Sequence, residues 1–236
     1  MLYQSIKNTH SEYKQENRPM SEPTQDGKKL EARVKSVRNE FNGFLKINRY
    51  EIEADRHEGG KETYERLVME RGHAVAILAY DPKRDEIVLV NEMRPGILAA
   101  GEYPYTDTLP AGGIAKGETA VEAAIRETTE ETGLTLLHAK QIQDAYVSAG
   151  GTSEKISIVV GIVDTSAGSG IFGNDNEKEN IKTRMVSAKD FINEVKSGVN
   201  NDMKTIIAGY WLAEHRDALR AQYAPKAAGG KPPKPA

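Results

Sequence analysis

The sequence predicts an α+β sandwich, and three observations carry that expectation. Strand-like runs dominate the middle of the chain, helical patterns are few, and the two types do not alternate strictly. The first strands are "ARVKSVRNEF" and "GFLKINRYEIEA", followed by the turn-rich "DRHEGGK". "YERLVMERG" then leads into "HAVAILAY", an apolar run suited to a buried strand. "DPKRD" reads as a turn, with proline presetting one dihedral, and "EIVLVNEMR" as the returning strand. "DAYVSAGG", the β-branched "KISIVVGIV" and "IKTRMVS" are read as later strands.

Two helices are legible. Thr119 and Glu122 form a capping box, and Gly133 supplies the stop. A last helix from about Asn201 to Gln222 places Met203, Ile206, Ile207, Tyr210 and Trp211 on one stripe, expected to pack in the core or against a second copy. Residues 1–28 are polar and read as a flexible N-terminus, residues 224–236 as a Pro/Gly/Lys-rich disordered tail.

Composition bounds the function. The 236 residues fit one large domain or one domain with a small addition, and 38% hydrophobic content is ordinary for a globular protein. A net charge of −3 offers no concentrated basic face, so no nucleic-acid partner is expected. No apolar run approaches the ~18 residues of a membrane span, and the N-terminus lacks a signal-peptide core. With no cysteine, thiolate metal sites and a cysteine nucleophile are excluded, and a cytoplasmic location is the default expectation. His73 opens a buried strand and is read as structural.

The chemistry concentrates in "LPAGGIAKGETAVEAAIRETTEETGLT", Leu109 to Thr135. At ~100° per residue, Val121, Ala124, Ile125 and Thr128 share one face, and Glu127, Glu130 and Glu131 crowd a different one. Like charges at these spacings cost a helix roughly 0.2–0.5 kcal/mol per pair. A solvated acidic face is the bland alternative. Against it stand Gly112, Gly113 and Gly117, which let a ligand approach the backbone, and Arg126, spaced to pair with Glu122 and Glu130. Clustered carboxylates beside a glycine loop suit a hard cation such as Mg²⁺ or Mn²⁺, which would offset the repulsion.

Gly112, Glu118, Arg126, Glu127, Glu130, Glu131, Gly133 and Leu134 stand at the spacing of the Nudix box, and the chain resembles that superfamily. Thr128 departs from the pattern, at a position that is otherwise apolar; its methyl can pack and its hydroxyl can bond back into the helix. "ERGHAVAILAYDPKRDEIVLVNEMR", "SAGGTSEKISIVVGIVD" and "NEKENIKTRMVS" extend the resemblance to bacterial ADP-ribose pyrophosphatases and related nucleoside diphosphate sugar hydrolases. Ala149 stands where that group usually carries a proline.

The resemblance implies a mixed-sheet α/β/α sandwich, the Nudix fold, over residues 71–223. Ahead of it, residues 29–70 would form an antiparallel β-strand subdomain for dimerisation and substrate contacts. It implies Mg²⁺-dependent hydrolysis of ADP-ribose to AMP and ribose 5-phosphate. GDP-mannose is the alternative substrate, and a catalytically silent nucleotide-sugar sensor the alternative from another class. Glu127, Glu130, Glu131, Glu179 and the Ala111 carbonyl would hold metal, and Glu177 would be the general base; an acidic, solvated hairpin tip is the other reading of that loop. Arg94 and Arg66 would clamp phosphate or simply pair with Glu92 and Glu70. Ser153 and Glu154 would reach the terminal ribose, and Phe44 would stack on adenine across a homodimer with exchanged N-terminal strands, or lie in the core.

Overall fold

The computed structural model describes residues 29–174 and 178–224. The polar N-terminus, the Pro/Lys tail from residue 225 and Glu177 lie outside the described residues. The described residues form two compact units, one made of 29–40 and 48–67, the other of 41–47 and 68 onward.

Three strands, β1 (Ala32–Asn42), β2 (Lys46–Asp55) and β3 (Lys61–Glu70), form a sheet in the order β1-β2-β3. Charged pairs stitch it, among them Arg33–Glu53 at 2.9 Å and Arg49–Glu40 at 2.8 Å. Such exposed pairs contribute little each. Its apolar side chains Val34, Val37, Phe41 and Leu67 are exposed in the single chain.

The second sheet contains eight strands. They are β4 (Ala74–Asp81), β5 (Glu86–Met93), β6 (Tyr105–Thr108), β7 (Ala111–Gly113), β8 (His138–Tyr146), β9 (Lys155–Ile162), β10 (Ile171–Phe172) and β11 (Ile181–Ser187). The main path runs β10-β11-β5-β4-β9-β8, with β6 on β5 and β7 on β4. β4 pairs parallel to β9, from Ala74↔Ile156 to Tyr80↔Ile162, and antiparallel to β5 and β7, so the sheet is mixed. Among the described residues four α-helices accompany it: α1 (Pro95–Ala99), α2 (Ala120–Thr132), α3 (Ala188–Lys196) and α4 (Met203–Tyr223).

The two-residue side-chain period of β4 explains the layering. Ala76, Leu78 and Tyr80 point into one core with Phe191 and Val195 of α3 and Ala208 and Leu212 of α4. Val75, Ile77 and Ala79 point into the other, with Ala123 and Ala124 of α2. Both faces are covered, which is why the run reads as continuously apolar. The chain is the α+β, mixed-sheet α/β/α sandwich that the sequence predicted.

Three expectations about elements change. Of the predicted α4 stripe, Ile206, Ile207 and Trp211 pack against the core as expected, while Met203 and Tyr210 are exposed and the most buried face is Thr205, Ala208, Gly209 and Leu212; small residues let the helix approach α3 closely, and Gly209 faces Val195. "DAYVSAGG" is strand only through Tyr146, and Ser148 to Thr152 is a turn, its Gly151 and Thr152 N–H groups both donating to the Ser148 carbonyl. The short α1, β6 and β7 had no clear period to mark them, whereas α3 was overlooked although Ala188, Phe191, Ile192 and Val195 stand at helical spacing behind the Ser187 cap.

One turn adds a polar link between α4 and the sheet. Asp81 Oδ1 accepts the Lys83 and Arg84 N–H groups at 2.9 and 3.1 Å, forming the "DPKRD" turn. Asp85, at φ 60°, accepts from Tyr80 Oη at 2.7 Å and Arg216 Nε at 2.8 Å. Arg216 holds the Asp85 carboxyl below the usual carboxylate range. A depressed acid contributes stability above its unfolded pKa and loses it as pH falls through the folded one. Asp85→Asn is therefore expected to cost about 1–3 kcal/mol at neutral pH. Urea unfolding should show that difference shrinking below about pH 4, where the unfolded carboxyl protonates.

Candidate active site

The capping box expected for α2 is present: Thr119 N donates to Glu122 Oε2 at 2.9 Å and Glu122 N to Thr119 Oγ1 at 3.2 Å. At the other end Gly133 takes a left-handed φ of 67° and its N–H reaches the Thr129 carbonyl. Thr128 is fully buried, and its hydroxyl donates to the Ala124 carbonyl at 2.7 Å, as its departure from the apolar pattern required.

The carboxylates are arranged differently from the expectation. Glu127 and Glu131 lie on the buried side of α2, at 8% and 3% exposure, beside Ala123, Ala124 and Thr128. Ile125, placed on the core face by periodicity, is exposed instead, and so is Glu130. The reason is β7. A Cβ added at Gly112 would meet Glu127 Oε1 at 1.9 Å, so the missing side chain is the space that the carboxylate fills. One residue earlier, Ala111 N donates to Glu131 Oε2 at 3.0 Å. The helix buries its acids against bare backbone.

Arg126 locks the outer edge of this cluster. It makes a bidentate pair with Glu118, Nε to Oε1 at 3.0 Å and Nη2 to Oε2 at 3.1 Å. Nη1 donates to Glu127 at 2.7 Å and to Glu130 at 3.3 Å, and Nη2 to the Gly113 carbonyl at 2.8 Å. Glu122, the other partner expected from four-residue spacing, is committed to the capping box. The guanidinium takes Glu118 from the loop because the glycine turn returns that residue to the helix.

Burial dominates the electrostatics. Desolvation raises the Glu127 pKa against the pull of Arg126, and Glu130 and Glu179 push the same way. Glu131 is pushed up to about 8, first by desolvation and then by Glu127 and Glu179, while the Ala111 N–H and Arg94 oppose the rise. Glu179, distant in sequence, thus shares one field with the two helix acids; its own Oε2 accepts from Asn174 N at 3.0 Å. Arg94 ion-pairs with Glu92 at 2.7 Å and donates from Nη2 to Thr108 at 2.9 Å. Its buried Nε has no hydrogen-bond partner among the described residues.

Other predicted positions have partners of their own. Arg66 sits 4.6 Å from the Tyr64 ring centroid and donates to the Glu65 carbonyl. Phe44 is 95% exposed, so the core reading of that residue fails. Ser153 donates to a Glu70 carboxylate oxygen, and Glu154, only 6% exposed, pairs with Arg71 at 3.5 Å. His73 lies exposed just ahead of β4 and does not open the buried strand as expected; its Nδ1 accepts from Lys155 N at 3.2 Å. The role of Glu118 was missed because it lies eight residues from Arg126, outside any helical spacing rule.

The donor set is all hard oxygen, and buried neighbouring carboxylates gain most from a divalent cation, so the residues fit Mg²⁺ or a similar ion. Among the described residues no three acidic or imidazole side chains form a ready-made metal cage. Glu127 and Glu131 here spend an oxygen each on Arg126 and on the Ala111 N–H.

Comparison with known proteins agrees with this geometry. Residues 70–209 match the NUDIX domain family. An ADP-ribose pyrophosphatase of Escherichia coli is 36% identical over 188 residues, covering 78% of this chain and 88% of that protein. A GDP-mannose pyrophosphatase of Cronobacter sakazakii is 24% identical over 152 residues, 64% of this chain and 79% of that one. The solved structure of an ADP compounds hydrolase shares the fold, with a TM-score of 0.61 and 20% identity over 83% of this chain and 98% of its own. The chain belongs to the Nudix family and is a pyrophosphohydrolase of that family.

Two outcomes are expected of the site itself. Glu131 binds its proton more tightly folded than unfolded, so without divalent cation stability is greatest below the unfolded pKa and falls as pH rises through about 8. Thermal unfolding in a chelator should show that decline between about pH 5 and 8, and Glu131→Gln should flatten it. Gly112→Ala should displace Glu127 and abolish turnover at saturating metal, measured as phosphate-ester release.

Proposed function

We propose that this chain catalyses Mg²⁺-dependent hydrolysis of the diphosphate bond of ADP-ribose, giving AMP and ribose 5-phosphate. One observation carries the reading: α2 presents two buried carboxylates, Glu127 and Glu131, against the bare backbone of Ala111–Gly112, with Arg126 fixing the first of them. The ADP-ribose pyrophosphatase named among its relatives supports the substrate.

Glu127, Glu130, Glu131, Glu179 and the Ala111 carbonyl would hold Mg²⁺, with Mn²⁺ as a substitute. When bound, the ion supplies Lewis-acid activation of the attacking water and neutralises charge at the diphosphate. Arg126 orients Glu127 and Glu130 and offsets their mutual repulsion. Glu177 takes the proton from water as it adds to phosphorus, and the phosphorus–oxygen bond to the leaving phosphate breaks. Arg94 holds diphosphate oxygens; its guanidinium already lies within the field of Glu131. Ser153 and Glu154 contact the terminal ribose, and Arg66 assists at phosphate.

The working unit in this reading is a homodimer with exchanged N-terminal strands, in which Phe44 stacks on the adenine of the partner's substrate. Phe44, Phe41, Val34, Val37 and Leu67 are all exposed in the single chain, between 49% and 95%, which an isolated subunit would not favour. Hydrolysis of GDP-mannose is the second reading, favoured by Ala149 in place of the group's usual proline and by the Cronobacter relative.

Product analysis with Mg²⁺ over ADP-ribose, GDP-mannose, UDP-glucose and NADH decides between them. AMP and ribose 5-phosphate as dominant products are the expected result. Faster cleavage of GDP-mannose would replace the substrate, and substrate retained intact for hours would remove the enzyme reading. Glu177→Gln is expected to lower turnover by about two to four orders of magnitude while leaving Mg²⁺ affinity within about twofold, read by calorimetry.

A further inference from the structure

The Ser148–Lys155 segment joins the turn after β8 to the start of β9, and it lacks the proline that would stiffen such a loop. Something else must fix it. The segment from Met69 to Ala74 does so, residue by residue.

Met69 and Thr152 form an isolated parallel bridge, with Met69 N donating to the Gly151 carbonyl at 2.9 Å and Ser153 N to the Met69 carbonyl at 3.3 Å. The Ser153 hydroxyl then donates to the Glu70 carboxylate, and Arg71 Nε pairs with Glu154 at 3.5 Å. Lys155 N donates to His73 Nδ1 at 3.2 Å, and the regular ladder begins at Ala74↔Ile156. The contacts extend the parallel β4–β9 pairing outward past the end of the strand, with side chains replacing backbone groups.

The register is not uniform. From Met69–Thr152 through Arg71–Glu154 the partners are offset by 83 residues, and from His73–Lys155 onward by 82. The extra residue is Gly72, at φ 81°, with no atom within 4 Å of where a Cβ would stand. That bulge turns Glu70 and Arg71 onto the loop. The pairing with Arg71 also explains how a carboxylate as buried as Glu154 is tolerated, since buried charges need a partner.

We propose that Glu70 and Arg71 are positioning residues that hold Ser153 and Glu154 in register, and that they set the selectivity of this site for the terminal sugar of its substrate. The selectivity half rests on the assignment of Ser153 and Glu154 to that sugar. The clamp itself is independent of it. Glu70 is assigned neither to the carboxylate cluster nor to the metal ligands, and its contact with Ser153 carries the effect of its loss into the loop.

Two measurements on the full-length protein test it. Hydrogen exchange, which needs no substrate, should show the Thr152 and Ser153 amides exchanging about tenfold faster in Glu70→Ala than in the wild type, with Thr128 in α2 unchanged. Steady-state kinetics should show the KM for ADP-ribose raised about tenfold with kcat within about twofold, and the preference for ADP-ribose over ADP-glucose reduced. Glu70→Gln, which keeps an acceptor for the Ser153 hydroxyl, should restore most of both. Unchanged exchange at Thr152 and Ser153 would overturn the clamp. Faster exchange with equal losses on both sugars would overturn the selectivity role. A wild-type enzyme that ignores both ADP-sugars would overturn the substrate assignment and the selectivity role with it, leaving the exchange result to decide the clamp.

Discussion

Everything in the site depends on burying two carboxylates of one helix. Taking an ionised carboxylate out of water costs several kcal/mol unless partners compensate. Glu127 and Glu131 lie a turn apart on the same face, so the cost is compounded by mutual repulsion. The fold supplies what protein groups can: a glycine that leaves room for one acid, a backbone N–H for the other, and a fully engaged guanidinium at the rim. The balance is still unfavourable to two negative charges, and Glu131 holds its proton to about pH 8. A protein keeps such an arrangement where a cation completes it. This is the general character of functional sites, where local rules are broken and the surrounding structure carries the strain.

The rest of the sandwich serves to hold that helix and the loops around it. β4 is the axis: its early residues pair with β7 on one side and β9 on the other, and its last residues with β5. Through β7 it places Gly112 beneath α2. Through β9 it anchors the Ser148–Lys155 segment, stitched further by Glu70, Arg71 and His73. The carboxylate cluster and the loop assigned to the sugar are therefore referenced to the same strand, with one bulge at Gly72 between ladder and clamp. Rigid elements carrying both halves of a site are what precise positioning requires.

Much of this was legible in the residues. Continuous apolar runs located the central strands, and the capping box and αL glycine fixed both ends of α2, because these signals are short-range and act through neighbouring residues. The box spacing identified the acids and Arg126. Helical periodicity placed Ala124 and Thr128 correctly but misjudged the edges of the buried side of α2, since it weighs Ile125 as apolar and Glu127 as charged, while the sheet offers a glycine to the acid and nothing to the isoleucine. On α4 the stripe was right for Ile206, Ile207 and Trp211 but missed the most buried positions for a related reason: Ala208 and Gly209 give a weak apolar signal but allow close approach to α3.

The order of residues along the chain was enough to set where α2 starts and stops, which strands are apolar on both faces, and which acids share a helix with Arg126. These are properties of residues within about one or two turns of each other. Folding in three dimensions was needed to turn Glu127 and Glu131 inward, to return Glu118 to Arg126, to bring Glu179 into their field, and to set Glu70 and Arg71 against Ser153 and Glu154. Each of these joins groups through a turn or a sheet register, and linear spacing carries no record of which backbone will arrive opposite which side chain.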